Sequence, residues 1–499
     1  MIKNGYQTVL PFNPISIWTA HGFDKITTEQ EAPANASNRY TVYTAKNEAE
    51  GFHIALRSES GHEALRFVTL LGEYDGIECQ IYRVRALDKI DGKSYTDPCV
   101  PISKEVPFDM KGNETAVIYV DFKTAEDAQA GDHPFEFAIV DKKGRVLAEI
   151  SAILHVWDFA MPEARKFETA CGLSSNGHVT LKEHYEFLLS YGMSPYRLPY
   201  DILDERADEY MSDPRVTSFF VKGPHDTFDD ERVIAWYNKL KTNPEWLKKA
   251  YFYPIDEPST PEQLYEMEKR CQHLRKICPE IRICVPYYTD VQLTDDMDQI
   301  DFMSQYVDYH CPKLANWDEN IIYNEEQRKK YPSFAERAKA LQARGDKVVA
   351  YVCNIPELPY LNVKVNEDGI NHRIVMWQMY QRDIEGFLYW HSNMPKKDVW
   401  KNVDYFGQGW HGDGILEYPG DDVGLNGQLL PSIRLIIIRD GLEDIELLYM
   451  AEELLGSEWV KEKANCVSKS LTSVDVTSDE FASLRIEIGN AVEQALKNK

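Results

Sequence analysis

Nowhere in the 499-residue chain is there an apolar run long enough to cross a bilayer, and its first residues do not form the apolar core of a secretory leader. A soluble polypeptide with no membrane partner is expected on these grounds. The expected location is the cytoplasm, with export after removal of a leader as the alternative. Zinc-protease HExxH spacing is missing, and no metal or other cofactor is expected. Cysteine is sparse: nine residues, an odd number, are scattered from Cys79 to Cys466, which excludes a dense disulfide scaffold. Cys271, Cys278 and Cys284 come nearest to a cluster, but their spacing is not that of a zinc knuckle and the first two fall on a helical apolar stripe, so they read as core. Cationic residues are also in deficit, 55 against 81 acidic ones, for a net charge of −26. Such a field repels polyanions, so nucleic acid is excluded as a partner and a neutral substrate is expected.

Hydrophobic residues make up 43% of the chain, enough for more than one large core. Up to about Trp157 the pattern alternates, as in Phe52, Ile54 and Leu56 or in Val117 to Val120, and no helix is evident. Phe135–Val140 and Arg145–Val156 flank the turn Asp141-Lys142-Lys143-Gly144 and read as a hairpin. Many short strands imply a β-sandwich over residues 1–160.

Past the polar, proline-bearing join at Met161–Lys166, strands and helices alternate, and residues 161–499 are expected to form the second domain. Strands are expected at Phe167–Leu173, Pro195–Leu198, Val216–Val221, Ala250–Ile255, Ile281–Tyr288, Phe302–Val307, Val348–Asn354 and Gly386–His391. Helices are expected between them, among others at Phe334–Ala343 and Ile374–Ile384. Eight strands in this order match a (β/α)8 barrel of the TIM type, followed here by a C-terminal helical cap. An open doubly wound sheet fits less well, because no glycine-rich fingerprint follows the first strand.

The fourth of these strands ends in Tyr253-Pro254-Ile255-Asp256-Glu257-Pro258. Thr260 then offers an N-cap, Pro261 a first helical residue and Gln263 a capping-box partner, before Leu264, Met267, Cys271 and Leu274 recur on one face. Two carboxylates in a strand-to-helix loop of a barrel lie where acid/base chemistry is done. An isolated Asp-Glu is more often a solvated turn, and the aromatic strand before it shifts the reading towards catalysis. Neighbouring strand residues point to opposite faces, so a shared site requires a bulge or irregular strand end at Asp256.

Further along lie Gly412-Asp413-Gly414 through Tyr418-Pro419-Gly420, a segment able to cover the barrel mouth, and then Pro431-Ser432-Ile433-Arg434. The latter opens an apolar helix that runs to Ile438 and is interrupted by Arg439-Asp440-Gly441-Leu442-Glu443-Asp444. Arg434, Arg439, Glu443 and Asp444 read as a helix-packing set of ion pairs.

These three stretches, with Lys46-Asn47-Glu48-Ala49-Glu50-Gly51-Phe52 before them, resemble glycoside hydrolase family 123, the β-N-acetylgalactosaminidases. The resemblance spans nearly the whole chain. It implies an exo-acting retaining hydrolase that uses the substrate's own acetamido group as nucleophile, on a glycan ending in a β-linked N-acetylhexosamine. It aligns the family's acidic pair with Asp256, which would orient the acetamido N–H, and Glu257, which would protonate the glycosidic oxygen and later activate water. Glu257 then needs a raised pKa.

A pyranose also needs an apolar platform and polar clamps. Arg197, Tyr287, Tyr306, Asn354, Trp390 and Tyr418 stand at expected strand ends or on the covering segment and are the candidate sugar contacts. Two other readings stay open. One is a glycosidase of the same fold with a separate nucleophile at Asp308, Glu357 or Glu417, acting on sugars without a 2-acetamido group. The other is a carbohydrate-binding protein without catalysis.

Overall fold

Alternation along the N-terminal strands decides how they stack. The computed structural model describes residues 2–3, 6–8, 14–88, 90, 92–102, 107–175, 177–394 and 398–499. A five-stranded antiparallel sheet runs in the order Ser16–His21, Ala49–Arg57, Thr115–Thr124, Ile77–Ala86, Thr96–Pro101. From Thr115–Thr124, Ile118, Val120 and Phe122 meet Phe67, Phe135 and Phe137 of a second, seven-stranded sheet in one core. Val117 and Tyr119 point the other way, into a core shared with the C-terminal helices. Both faces of this sheet are therefore covered, which explains why its central strands are apolar with little polar alternation. In the second sheet the expected hairpin forms between Gly131–Val140 and Arg145–Ala160.

The rest of the described chain alternates strands and helices around two parallel sheets. One contains Phe219–Lys222, Ala250–Phe252, Arg282–Tyr287, Tyr309–Pro312 and Lys347–Val348 in that order, and the other contains Glu168–Cys171, Gly386–Tyr389 and Ala350–Val352 with Gly386–Tyr389 central. Single backbone contacts run between their edges. Lys313 bridges Tyr351, Cys171 bridges Pro195, and the Phe220 N–H donates to the Tyr196 carbonyl at 2.8 Å. Ala170, Tyr196, Phe220, Tyr251, Cys284, Tyr309, Cys311, Val349, Tyr351 and Leu388 pack into one cluster. At the N-terminal ends of the strands, Glu168 accepts from Arg282 and from Lys347. That buried group ties three strands together by charge.

The loop after the organising strand follows the sequence signals. Thr260 caps the helix Pro261–Ile277, Pro261 opens it, and Leu264, Met267, Cys271 and Leu274 are its buried residues. Gln263 turns back as expected, but its side-chain oxygen accepts from the Ser259 N–H at 2.8 Å.

Three expectations need correction. Pro195–Leu198 is not a strand, and only Pro195 forms a single bridge, to Cys171. Phe302–Val307 is not a strand: Gln299–Met303 is a helix capped by Asp298, and the strand is Tyr309–Pro312. Ile300, Met303 and Val307 recur at helical spacing, and the true strand is masked by its polar, proline-bearing composition. The C-terminal helix is also not interrupted by charge. It runs unbroken from Ile433 to Leu455 with Arg434, Arg439, Asp440, Glu443 and Asp444 all buried.

Those charges are paired across the chain. Arg434 meets Asp97 at 2.9 Å and Arg439 meets Asp121 at 2.8 Å, so the helix is joined to two strands of the five-stranded sheet. Asp444 accepts from Arg373, from Arg485 and from the Trp377 indole. Gly441 allows the close approach of the helix Gly369–Gln381, because a Cβ there would lie 2.8 Å from Met376 Cγ. Removing one member of such a pair strands the other charge in the interior. Arg434→Met is expected to destabilise the protein by about 3–5 kcal/mol. Denaturant unfolding beside the Arg434→Met/Asp97→Leu double variant checks this, since the double variant leaves no orphaned charge and is expected to lose much less.

Candidate active site

Asp256 and Glu257 lie just beyond the C-terminal end of the strand Ala250–Phe252, which is buried throughout. One further ladder bond, from the Tyr253 N–H to the Lys222 carbonyl, holds the chain before it turns away. Glu257 has φ of 42°, a left-handed conformation uncommon for a non-glycine residue. This turn replaces the extended geometry in which neighbours point apart, so the irregular strand end required by a shared site is present, without a bulge at Asp256. The one register shift nearby lies on the adjacent strand, between Phe220 and Lys222.

Each carboxyl has its own tyrosine. The Tyr253 hydroxyl donates to Asp256 Oδ1 at 2.5 Å, and the Tyr351 hydroxyl donates to Glu257 Oε1 in a short contact. Asp256 is exposed and Glu257 half-buried. Burial raises the Glu257 pKa above the usual carboxylate value, Tyr351 and Lys313 pull it back, and the charge of Asp256 adds to the rise. A partly desolvated carboxyl with a raised pKa suits proton donation. Burial, and then the neighbouring Glu257 charge, push the Tyr351 phenol well above its ordinary range, so it stays a donor.

Lys313 follows the strand Tyr309–Pro312 and is 8% exposed. Its ammonium sits 4.6 Å from the centre of the Tyr288 ring and 5.6 Å from that of Tyr351. Trp390 and Asn354 also follow strands of the parallel sheets. Trp390 donates its indole N–H to Asp413 Oδ1 at 2.9 Å, and Gly414 leaves room for its ring, since a Cβ there would stand 2.5 Å from Trp390 Cζ2. Burial lifts the Asp413 carboxyl to about 6 against the pull of Trp390, Lys364 and Tyr389. Asn354 accepts a contact from the Cys353 thiol at 3.0 Å. Arg197 pairs with Asp226 and lies over the Phe220 ring at 4.6 Å.

Three expected sugar contacts are placed elsewhere. Tyr287 is buried on the outer side of its strand, edge-on to Phe334 at 6.5 Å. Tyr306 precedes the strand Tyr309–Pro312 and so lies at the opposite end of the parallel sheet, where its hydroxyl donates to Glu268 at 2.6 Å. Tyr418 is fully buried, with its hydroxyl on Asp97 at 2.5 Å, as part of the ion-pair web. Sequence position alone could not separate these from Trp390, because a strand residue's face depends on register. Tyr253, Tyr351, Lys313 and Asp413 were not anticipated. Tyr253 could have been, as it stands three residues before Asp256 in the same strand-to-helix segment. Among the described residues, no group of three His, Cys, Asp or Glu side chains is arranged to hold a metal ion, and no helix is long and apolar enough to cross a membrane.

Residues 222–451 match the family described as Glycoside hydrolase 123, catalytic domain. The chain carries a family 123 glycoside hydrolase domain. Asp256, Glu257, Lys313, Tyr351, Trp390 and Asp413 all fall within the matched residues. The matched residues thereby form a domain of the glycoside hydrolase family 123 type. Its fold is similar to that of a family 123 glycoside hydrolase from Clostridium perfringens, whose structure was analysed for glycolipid glycan hydrolysis. The TM-score is 0.64 at 11% identity, over 97% of this chain and 98% of that one. A family 2 β-galacturonidase from Eisenbergiella tayi, bound to galacturonate, is matched with a TM-score of 0.31 at 8% identity, over 87% and 73% of the two chains. That likeness is too loose to carry the fold. No curated protein matches the sequence significantly.

In this family 123 domain the hydroxyl of Tyr351 stabilises the ionised form of Glu257. Tyr351→Phe is expected to raise the Glu257 midpoint. The carboxyl carbon resonance of Glu257, followed by NMR against pH, checks this.

Proposed function

We propose that the protein is a retaining exo-β-N-acetylgalactosaminidase that works by substrate assistance. The observation that carries this reading is the side-by-side placement of Asp256 and Glu257, each turned by a different tyrosine. Adjacent carboxyls cannot straddle a glycosidic bond, as an ordinary retaining pair about 5–5.5 Å apart on separate elements does. They can serve one face of a sugar whose own acetamido oxygen is the nucleophile.

In the first step protonated Glu257 gives its proton to the glycosidic oxygen. The C1–O bond breaks as the acetamido carbonyl oxygen bonds to C1, while Asp256 accepts the acetamido N–H and balances the charge of the oxazolinium. In the second step the Glu257 carboxylate takes a proton from water, whose oxygen attacks C1 and reopens the ring. Two inversions leave the configuration retained. The raised pKa of Glu257 supports the first step, and the Tyr351 and Lys313 contacts favour the ionised form needed in the second.

A separate-nucleophile mechanism finds less support from the residues considered for it. Asp308 precedes its strand and pairs with Arg275. Glu417 is buried against His184 at 2.6 Å. Glu357 is exposed, 3.8 Å from Lys364. Trp390 is the favoured apolar platform, with Asn354 and Arg197 as polar contacts. We further read the parallel strands as a closed (β/α)8 barrel, supported by the edge contacts at Tyr196 and Lys313. In that reading residues 1–160 form a β-sandwich domain and residues 161–499 the barrel with its helical cap.

Hydrolysis of aryl β-N-acetylgalactosaminide, its gluco epimer and the plain β-galactoside tests the proposal. Turnover is expected only for the acetamido sugars, and Glu257→Gln and Asp256→Asn are each expected to lose about 10²–10⁴-fold in kcat. Turnover of the plain galactoside, or full activity of Asp256→Asn, sinks substrate assistance.

A further inference from the structure

Lys313 is a cation buried at the acidic pair. Its neighbours are the rings of Tyr288 and Tyr351, and Tyr351 is the residue that binds Glu257 Oε1. Among the described residues no carboxylate lies within ion-pair distance of its ammonium, although lysines elsewhere in this acidic chain, such as Lys46 and Lys347, meet one. A buried ammonium normally requires compensation, and here aromatic faces and the catalytic carboxyl supply it. The site thus keeps a positive charge for Glu257 without a competing partner.

We propose that Lys313 is a positioning residue that acts on Glu257 by charge, holding its ionised form at a defined level so that one group can serve as acid and then as base. The inference rests on Glu257 being the acid/base of the proposed mechanism. Burial alone would drive Glu257 so far towards its protonated form that it would donate well but recover poorly as a base. An ammonium nearby opposes that drift most strongly in the second step, when Glu257 is charged after the leaving group has taken its proton.

The position of Lys313 is set by the fold. Its backbone N–H donates to the Tyr287 carbonyl at 2.9 Å, and the residue bridges Tyr351 in the neighbouring strand. The lysine and the tyrosine therefore stand side by side on neighbouring strands, the tyrosine hydroxyl meets Glu257, and the Tyr288 ring faces the ammonium. The titratable groups facing Glu257 are Asp256, Tyr351 and Lys313, with the Cys311 and Cys353 thiols close enough to feel its charge. Asp256 acts in the opposite sense to Lys313. The thiols of Cys311 and Cys353 are themselves pushed up by burial, so they remain neutral and contribute no charge of their own near neutrality. Lys313 is thus the cation set against Asp256 in this group.

The test compares Lys313→Met and Lys313→Arg with the parent protein by two readouts, after thermal unfolding has shown that both variants are folded. The carboxyl carbon of Glu257, assigned with Glu257→Gln, is titrated by NMR without substrate, and kcat/KM for aryl β-N-acetylgalactosaminide is measured against pH. Removing the positive charge is expected to raise the Glu257 midpoint by about one pH unit in Lys313→Met. The alkaline limb of kcat/KM then moves up with it, because the acid keeps its proton to higher pH, and Lys313→Arg restores both. A Glu257 midpoint unchanged in Lys313→Met overturns the proposal whatever the activity. Equal displacement in Lys313→Met and Lys313→Arg also overturns it, because shape and not charge would then be the cause. A midpoint that moves while the alkaline limb stays fixed supports the coupling of Lys313 to Glu257 and instead refutes Glu257 as the acid.

Discussion

The structure depends first on arginines of the C-terminal region finding carboxylates of the N-terminal sheet in a place that water does not reach. Asp97, Asp121, Glu48 and Glu50 come from one side, and Arg373, Arg434, Arg439 and Arg485 from the other. Breaking any one pair leaves a charge that the interior cannot solvate, so the two parts can meet in few registers. The apolar contacts around Val117, Tyr119 and the buried face of Ile433–Leu455 supply the bulk of the attraction, but they are tolerant of small slips. The ion pairs are not.

This constraint extends towards the candidate site. The N–H groups of Arg434 not used by Asp97 go to the carbonyls of Val363, Gly412 and Ile415. They thereby fix the glycine-rich segment that carries Asp413, and Asp413 holds the Trp390 indole and accepts from the Tyr389 hydroxyl. A residue of the first sheet is in this way connected through three polar steps to the proposed sugar platform. Loop segments usually carry function while a rigid scaffold positions them, and here part of the scaffold lies in the other half of the chain.

At the acidic pair the balance is electrostatic. Burial favours a protonated Glu257, while Tyr351 and Lys313 favour its carboxylate. In the proposed mechanism this group gives up a proton and then takes one back, which works best when these influences nearly offset each other. The left-handed backbone at Glu257 belongs to the same arrangement, since it lets successive side chains serve one site in place of opposite faces of a strand.

Local signals carried much of this by themselves. The helix after the pair is written in Thr260, Pro261 and its apolar stripe, and the acidic pair stands out because an aromatic strand runs into it. The ion-pair role of Arg434, Arg439, Glu443 and Asp444 was also legible, although their partners in the first sheet were not. The strand Tyr309–Pro312 was missed because its composition is polar and the segment before it has helical spacing. Tyr287, Tyr306 and Tyr418 look equivalent to Trp390 in sequence, yet register, strand direction and the ion-pair web send each to a different environment. The sequence by itself determined most of the elements and the loop that carries the acidic pair, because capping, periodicity and turn chemistry act between residues a few positions apart. Only the tertiary structure decided that Tyr351 and Lys313 attend Glu257, because contacts across parallel strands join residues that nothing in the local sequence relates.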